Sequence, residues 1–171
     1  MHRTIRTSLL LLFFPVLLIQ QSCAYKLTGA SIPPEMKTVS VQFFENNATL
    51  VVPYLSQQFT DALKDRILSQ SRLNMVRTEG DATFEGRITD YNIRPVAIQG
   101  NERAGLSRLS VTVSVKYTNT LKPDQSFEQS FTRFRDLDLS TRPLQVQERE
   151  LITAINRELC EDIFNRAFAN W

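Results

Sequence analysis

Between Arg108 and Thr118 the chain alternates without a break, Leu109, Val111, Val113, Val115 and Tyr117 on one side and Arg108, Ser110, Thr112, Ser114, Lys116 and Thr118 on the other. A period of two is the period of an extended strand, and β-branched residues in phase suit a pleated surface. One face is wholly apolar and the other wholly polar, so the strand belongs to a sheet covered on one side only. Water or a polar partner must cover the second side.

The flanking segments supply what that sheet packs against. Val39, Val41 and Phe43 alternate with Ser40 and Gln42, which predicts a half-buried strand over 38–43. Leu55, Phe59, Leu63 and Ile67 recur every four residues behind Pro53, which predicts a helix from Pro53 to about Ser71 with one apolar face. A short strand is expected over 73–76 and a longer one from Ala82, with Phe84, Gly86 and Ile88 in phase. Its apolar phase then moves to Tyr91 and Ile93, which places a bulge near Thr89-Asp90. Pro95 suits an edge or a bulge, and Gln99 to Gly105 reads as a polar loop.

Past the alternating strand, Lys122-Pro123-Asp124-Gln125 supplies a reverse turn. Residues 126–137 return as a strand with Phe127, Phe131 and, after a further phase change, Phe134. A final helix is expected from Gln147 to Ala169, its stripe formed by Ile152, Ile155, Leu159 and Ile163. Gly80 suits a turn that needs positive φ, with Asp81 closing that turn, and Gly86 suits a close approach by a neighbouring element. The order predicts an α/β two-layer sandwich, a mixed sheet of about four strands with two helices packed on one face. Its first strand, crossover helix and next strand should be parallel and right-handed.

The N-terminus carries an address. Arg3 and Arg6 precede LLLLFFPVLLIQQSC, residues 9–23, an apolar run too short to span a bilayer comfortably. Ser22 directly before Cys23 resembles the lipobox of bacterial lipoproteins, although Gln20 stands where the strict pattern has Leu. On that reading residues 1–22 are a cleaved leader, 23–37 a lipidated tether containing Gly29 and Pro33-Pro34, and 38–171 one domain. Cys23 would carry diacylglycerol and an acyl chain, and two or more chains anchor stably where one does not. A secreted protein cut nearby, with Cys23 a plain thiol, and an uncleaved anchor are the competing readings.

Loss of the leader removes two of the 20 basic residues, none of the 18 acidic ones and the only histidine, His2. The remaining chain is formally neutral, which argues against nucleic-acid binding. Histidine-dependent catalytic triads and histidine-ligated metal sites are excluded from it. With Cys23 acylated, Cys160 has no partner for a disulfide, and its place on an apolar stretch reads as a small buried hydrophobe, a reactive thiol being the alternative. No nucleotide loop or nucleophile motif appears. Asp136-x-Asp138 and Glu158 with Glu161-Asp162 could be nominated as acid/base or cation sites, but nothing separates them from solvated surface. No enzyme and no cofactor is expected.

The blocks YKLTGASIPP, KTVSVQFFENNA, VPYLSQQFTDALKDRI, GDATFEGRITDYNIRP, RLSVTVSVKY and DIFNRAFANW, in that order behind the lipobox cysteine, carry a resemblance over nearly all of the mature chain. It resembles the LptE family, small lipoprotein partners of the outer-membrane lipopolysaccharide translocon, and looks most like the branch found in Bacteroidetes. The resemblance implies a periplasm-facing lipoprotein of the outer membrane that plugs and helps assemble a large β-barrel of the LptD type. It also implies contact with lipopolysaccharide through basic residues, for which Arg94, Arg103, Arg108 and Lys116 are the candidates, each also readable as a solvated charge. Ala24 after Cys23 is compatible with sorting to the outer membrane. A periplasmic lipid or glycolipid carrier, or an accessory lipoprotein of another envelope machine, is the alternative.

Overall fold

The computed structural model describes residues 32–96 and 106–169. The elements run β1 Thr38–Val41, β2 Glu45–Asn46, α1 Leu55–Gln70, β3 Asn74–Met75, β4 Ala82–Pro95, β5 Leu106–Asn119, β6 Phe127–Asp138 and α2 Leu144–Phe168. The strands form one mixed sheet in the order β3-β1-β4-β5-β6, with β2 also on β4. It has six strands rather than about four: the short strand expected over 73–76 is present as β3, and β2, only two residues long, carries too little pattern to show as a strand in the sequence. β1 is parallel to β3 and β4, whereas β4, β5 and β6 form an antiparallel meander. The α/β two-layer expectation holds.

The alternation of β5 survives intact: Leu109, Val111, Val113, Val115 and Tyr117 are all buried. Burying each valine removes it from water at a gain of roughly 1.5–3 kcal/mol. Facing them, α1 contributes Leu55, Phe59, Leu63 and Ile67, and α2 contributes Ile152, Ile155, Leu159 and Ile163, all fully buried. The helices lie parallel, since Gln58 donates to Thr153 at 2.7 Å and Arg66 pairs with Glu161 at 3.4 Å one helical stretch further on. At their N-terminal end Glu148 accepts hydroxyls from Tyr91 at 2.6 Å and Tyr54 at 3.3 Å, tying both helices to β4. Burial, then the Glu148 carboxylate, holds the Tyr91 phenol well above its ordinary range.

Several boundaries and phases differ from expectation for identifiable reasons. β1 and β2 meet β4 with a register change, Val41 opposite Phe84 but Glu45 opposite Arg87. The extra residue turns Phe43 outward, 53% exposed, and buries Phe44 in its stead. The expected bulge in β4 lies where the apolar phase shifted, between Ile88 and Asp90. β6 shows no phase change: its register with β5 is continuous from Phe127 to Asp138, so Phe134 points to the outer face. α2 begins at Leu144 behind Pro143, three residues before the expected Gln147.

The inner positions of β6 that are not apolar are Gln129, Arg133 and Arg135. Arg133 pairs with Asp162 through two contacts of 2.6 Å, and Arg135 pairs with Glu158. Two residues of strand advance about 6.8 Å and four residues of helix about 6 Å, so the two pairs match in spacing. The edge strand is thereby fastened to α2.

Two glycines are required by space rather than by backbone angle. A Cβ on Gly86 would sit 2.1 Å from the Ser114 carbonyl oxygen and 2.6 Å from the Phe44 ring. A Cβ on Gly80 would lie 3.1 Å from the backbone of Thr38 and Val39. Gly80 therefore permits a close approach and does not supply the positive φ expected of it. Asp81 does not close its own turn either: its Oδ2 accepts the N–H groups of Lys37 at 2.8 Å and Thr38 at 2.9 Å, securing the start of β1.

Candidate functional site

The outer face of the sheet carries the polar half of the β5 alternation, joined by the outward residues of β4 and β6. Arg94 of β4, Arg108 and Lys116 of β5 all stand on it. Arg103 and Cys23 lie outside the described residues. The fold brings Arg94 and Arg108 together as direct cross-strand partners. Lys116, eight residues further along β5, is about 27 Å away at the other end of the strand.

Each cation has a different environment. Arg108 donates from Nε to Asp136 Oδ1 at 2.7 Å and from Nη2 to Oδ2 at 3.0 Å, a bidentate fork. Its guanidinium also lies 3.8 Å above the centre of the Phe134 ring. The hydrogen bond with Asp136 raises the Arg108 pKa and holds the Asp136 carboxyl below the ordinary carboxylate value. Lys116 lies 3.3 Å from Glu85, both exposed. Arg94 is exposed and has no ion-pair partner among the described residues.

Arg94 and Arg108 rim an open depression of about 370 Å³, floored by Ser110, Thr112 and Thr132 and flanked by Asp90 and Asn92. The Thr112 and Thr132 hydroxyls lie 2.9 Å apart and hydrogen-bond each other. Asp90 accepts from Asn92, so its charge is partly satisfied within β4. The bulge before Asp90 is what returns Asp90, Asn92 and Arg94 to the outer face. The arrangement offers two guanidinium groups and a bed of hydroxyls, a donor set for a sugar phosphate or similar anion.

Arg87 belongs to the same face, opposite Ser114, and is exposed. The in-phase run Phe84, Gly86, Ile88 assigns it outward in the sequence as well, and its signal is that phase alone. The nominated carboxylates have structural partners instead. Asp136 holds Arg108, Asp138 accepts from Ser140, and Glu158, Glu161 and Asp162 pair with Arg135, Arg66 and Arg133. Cys160 is 1% exposed and burial pushes its thiol up to about 12, which keeps it protonated at neutral pH. Among the described residues no group of three or more His, Cys, Asp or Glu could hold a metal ion, and no helix is long and apolar enough to cross a membrane.

A family model described as LptE, Lipopolysaccharide-assembly, matches residues 36–167. No curated protein matches the sequence. Among solved structures, the hypothetical protein CT253 from Chlamydia trachomatis is similar with a TM-score of 0.54 at 8% identity, over 79% of this chain and 99% of that one. This likeness shows a common fold. A minor lipoprotein from Acinetobacter baumannii has a TM-score of 0.48 at 16% identity, over 79% of this chain and 92% of its own. Uncharacterized lipoprotein B from Nitrosomonas europaea has a TM-score of 0.49 at 15% identity, over 78% of this chain and 82% of its own.

Proposed function

This chain belongs to the LptE family of lipopolysaccharide-assembly proteins, and from that premise we propose that it is an outer-membrane lipoprotein that assembles with and plugs a lipopolysaccharide translocon barrel. Residues 1–22 are the leader, Cys23 carries the lipid, residues 23–37 form the tether, and residues 38–171 form the domain. The domain faces the periplasm and sits wholly or partly in the lumen of an LptD-like β-barrel. It assists insertion of lipopolysaccharide into the outer leaflet.

The observation that supports this reading best is the polar outer face of a sheet whose other, apolar face packs against two helices. A large translocon barrel has a polar interior, and hydroxyls with interspersed charges match it where an apolar patch would not. Lipid A phosphates favour paired arginine donors. Arg94 and Arg108 at the depression are accordingly the contacts proposed for the glycolipid. Lys116 and Arg103 remain proposed contacts at other points, Lys116 with its charge shared with Glu85.

Affinity isolation of the full chain from detergent-solubilised outer membranes tests the assembly. Recovery of a large β-barrel protein in stoichiometric amount is expected, and recovery of none contradicts the proposal. Fractionation of Cys23→Ala tests the anchor separately. Loss from the outer membrane is expected, and unchanged fractionation contradicts lipidation at Cys23.

A further inference from the structure

Arg108 is the more elaborately held of the two arginines, and the way it is held bears on how tightly the depression can bind. A guanidinium presents its strongest recognition edge, Nε with one Nη, to a carboxylate or a phosphate in the same bidentate geometry. In this protein that edge is already filled by Asp136, at 2.7 and 3.0 Å, and the plane of the group is laid on Phe134. Arg94, across the ladder, has no such partner among the described residues. A phosphate seated between them gains a full charge from Arg94 but must compete with Asp136 for Arg108.

We propose that Asp136 is a built-in competing anion that weakens phosphate binding at the Arg94–Arg108 end of the sheet, so that a bound anionic glycolipid is released rather than retained. The inference rests on the glycolipid reading of this face. Displacing Asp136 exchanges one charge-assisted fork for another, a near-even trade, and leaves a carboxylate beside the incoming anion. Phe134 keeps the guanidinium in place during that exchange, because the cation–π contact does not depend on which anion occupies the fork. Asp90 does not play the same part, since it faces Asn92 rather than an arginine. Asp136 is thus a positioning and affinity-setting residue and not itself a ligand contact.

Removing the Asp136 charge should therefore strengthen binding, the reverse of what loss of an ordinary salt-bridge partner does. The full chain in detergent is titrated with bisphosphorylated lipid A and, in parallel, with fully dephosphorylated lipid A. Asp136→Asn and Asp136→Ser are each expected to bind the bisphosphorylated form on the order of tenfold tighter than wild type, with slower dissociation. Neither should change affinity for the dephosphorylated form, and Arg108→Gln added to Asp136→Asn should abolish the gain. Wild-type binding that both Asp136 variants leave equal or weaker overturns the inference alone. Absence of binding by wild type and variants alike overturns the glycolipid reading of the face, and this inference with it.

Discussion

Arg94 and Arg108 face each other directly across the β4–β5 ladder on the outer surface of the sheet. Like charges in register on neighbouring strands destabilise a sheet by a few tenths of a kcal/mol, to about 1 kcal/mol. Asp136, on the β6 side of Arg108, offsets part of that repulsion and leaves Arg94 as the unneutralised member. Such a pair is costly to folding and useful to an anion.

The pair separates binding from stability. Arg94→Gln should leave the melting temperature unchanged or slightly raised while reducing affinity for bisphosphorylated lipid A at least fivefold, about 1 kcal/mol of one charge-assisted contact. Thermal melting and equilibrium binding on the same preparation check both halves. A fall in stability with intact binding would reverse the assignment.

Gly86 stands where β4 is pressed between the Ser114 carbonyl and the Phe44 ring. Gly86→Ala should cost about 1–3 kcal/mol by overpacking, despite the smallness of the added methyl. Urea unfolding measures it. A neutral result would mean that the β1–β2 bulge carrying Phe44 shifts freely.

Asn156 is 1% exposed among Ile152, Ile155, Leu159 and Cys160, and neither its Nδ2 nor its Oδ1 has a hydrogen-bond partner. Asn156→Leu keeps the approximate shape and removes two unsatisfied polar atoms, so it should stabilise the domain by about 1–2 kcal/mol. A lower denaturation midpoint for this variant would show that the amide is satisfied by bound water.

Asp81 makes stability depend on pH at the start of β1. The Lys37 N–H, then the Thr38 N–H, hold its carboxyl below the ordinary value of 3.8. A depressed folded pKa contributes stability that is present above the unfolded pKa and lost as pH falls through the folded one. Wild type should therefore melt higher than Asp81→Asn near neutrality, with the gap closing below about pH 4. Melting curves from pH 7 to pH 2 read the gap directly, and a gap that stays constant contradicts the assignment.

What could be read in the sequence was what local periodicity encodes. The β5 alternation, the α1 stripe and the β4 bulge each show within about a dozen residues, and each is present. The outward turn of Phe43 was not legible, because it comes from a mismatch between β1–β2 and β4, more than 40 residues apart in the chain. Phe134 was misread for a related reason: aromatic residues on an outer face imitate a phase change when an arginine, Arg108, covers the ring. Arg94 and Arg108 could be placed on a common face from their phases, yet their direct opposition depends on the register of the β4–β5 pair. The fork to Asp136 depends likewise on the β5–β6 register. Composition and order reveal which residues share a face, and only pairing reveals which of them touch.

If the polar sheet face meets a translocon barrel as proposed, in-cell photo-crosslinking from that face captures the contact. A photoreactive residue at Ser114 or Ser130, outward partners on β5 and β6, is the probe. The expected result is a covalent adduct with a large outer-membrane β-barrel protein, absent from a probe placed at helix position Arg157. Adducts from Arg157 alone, with none from Ser114 or Ser130, would contradict it.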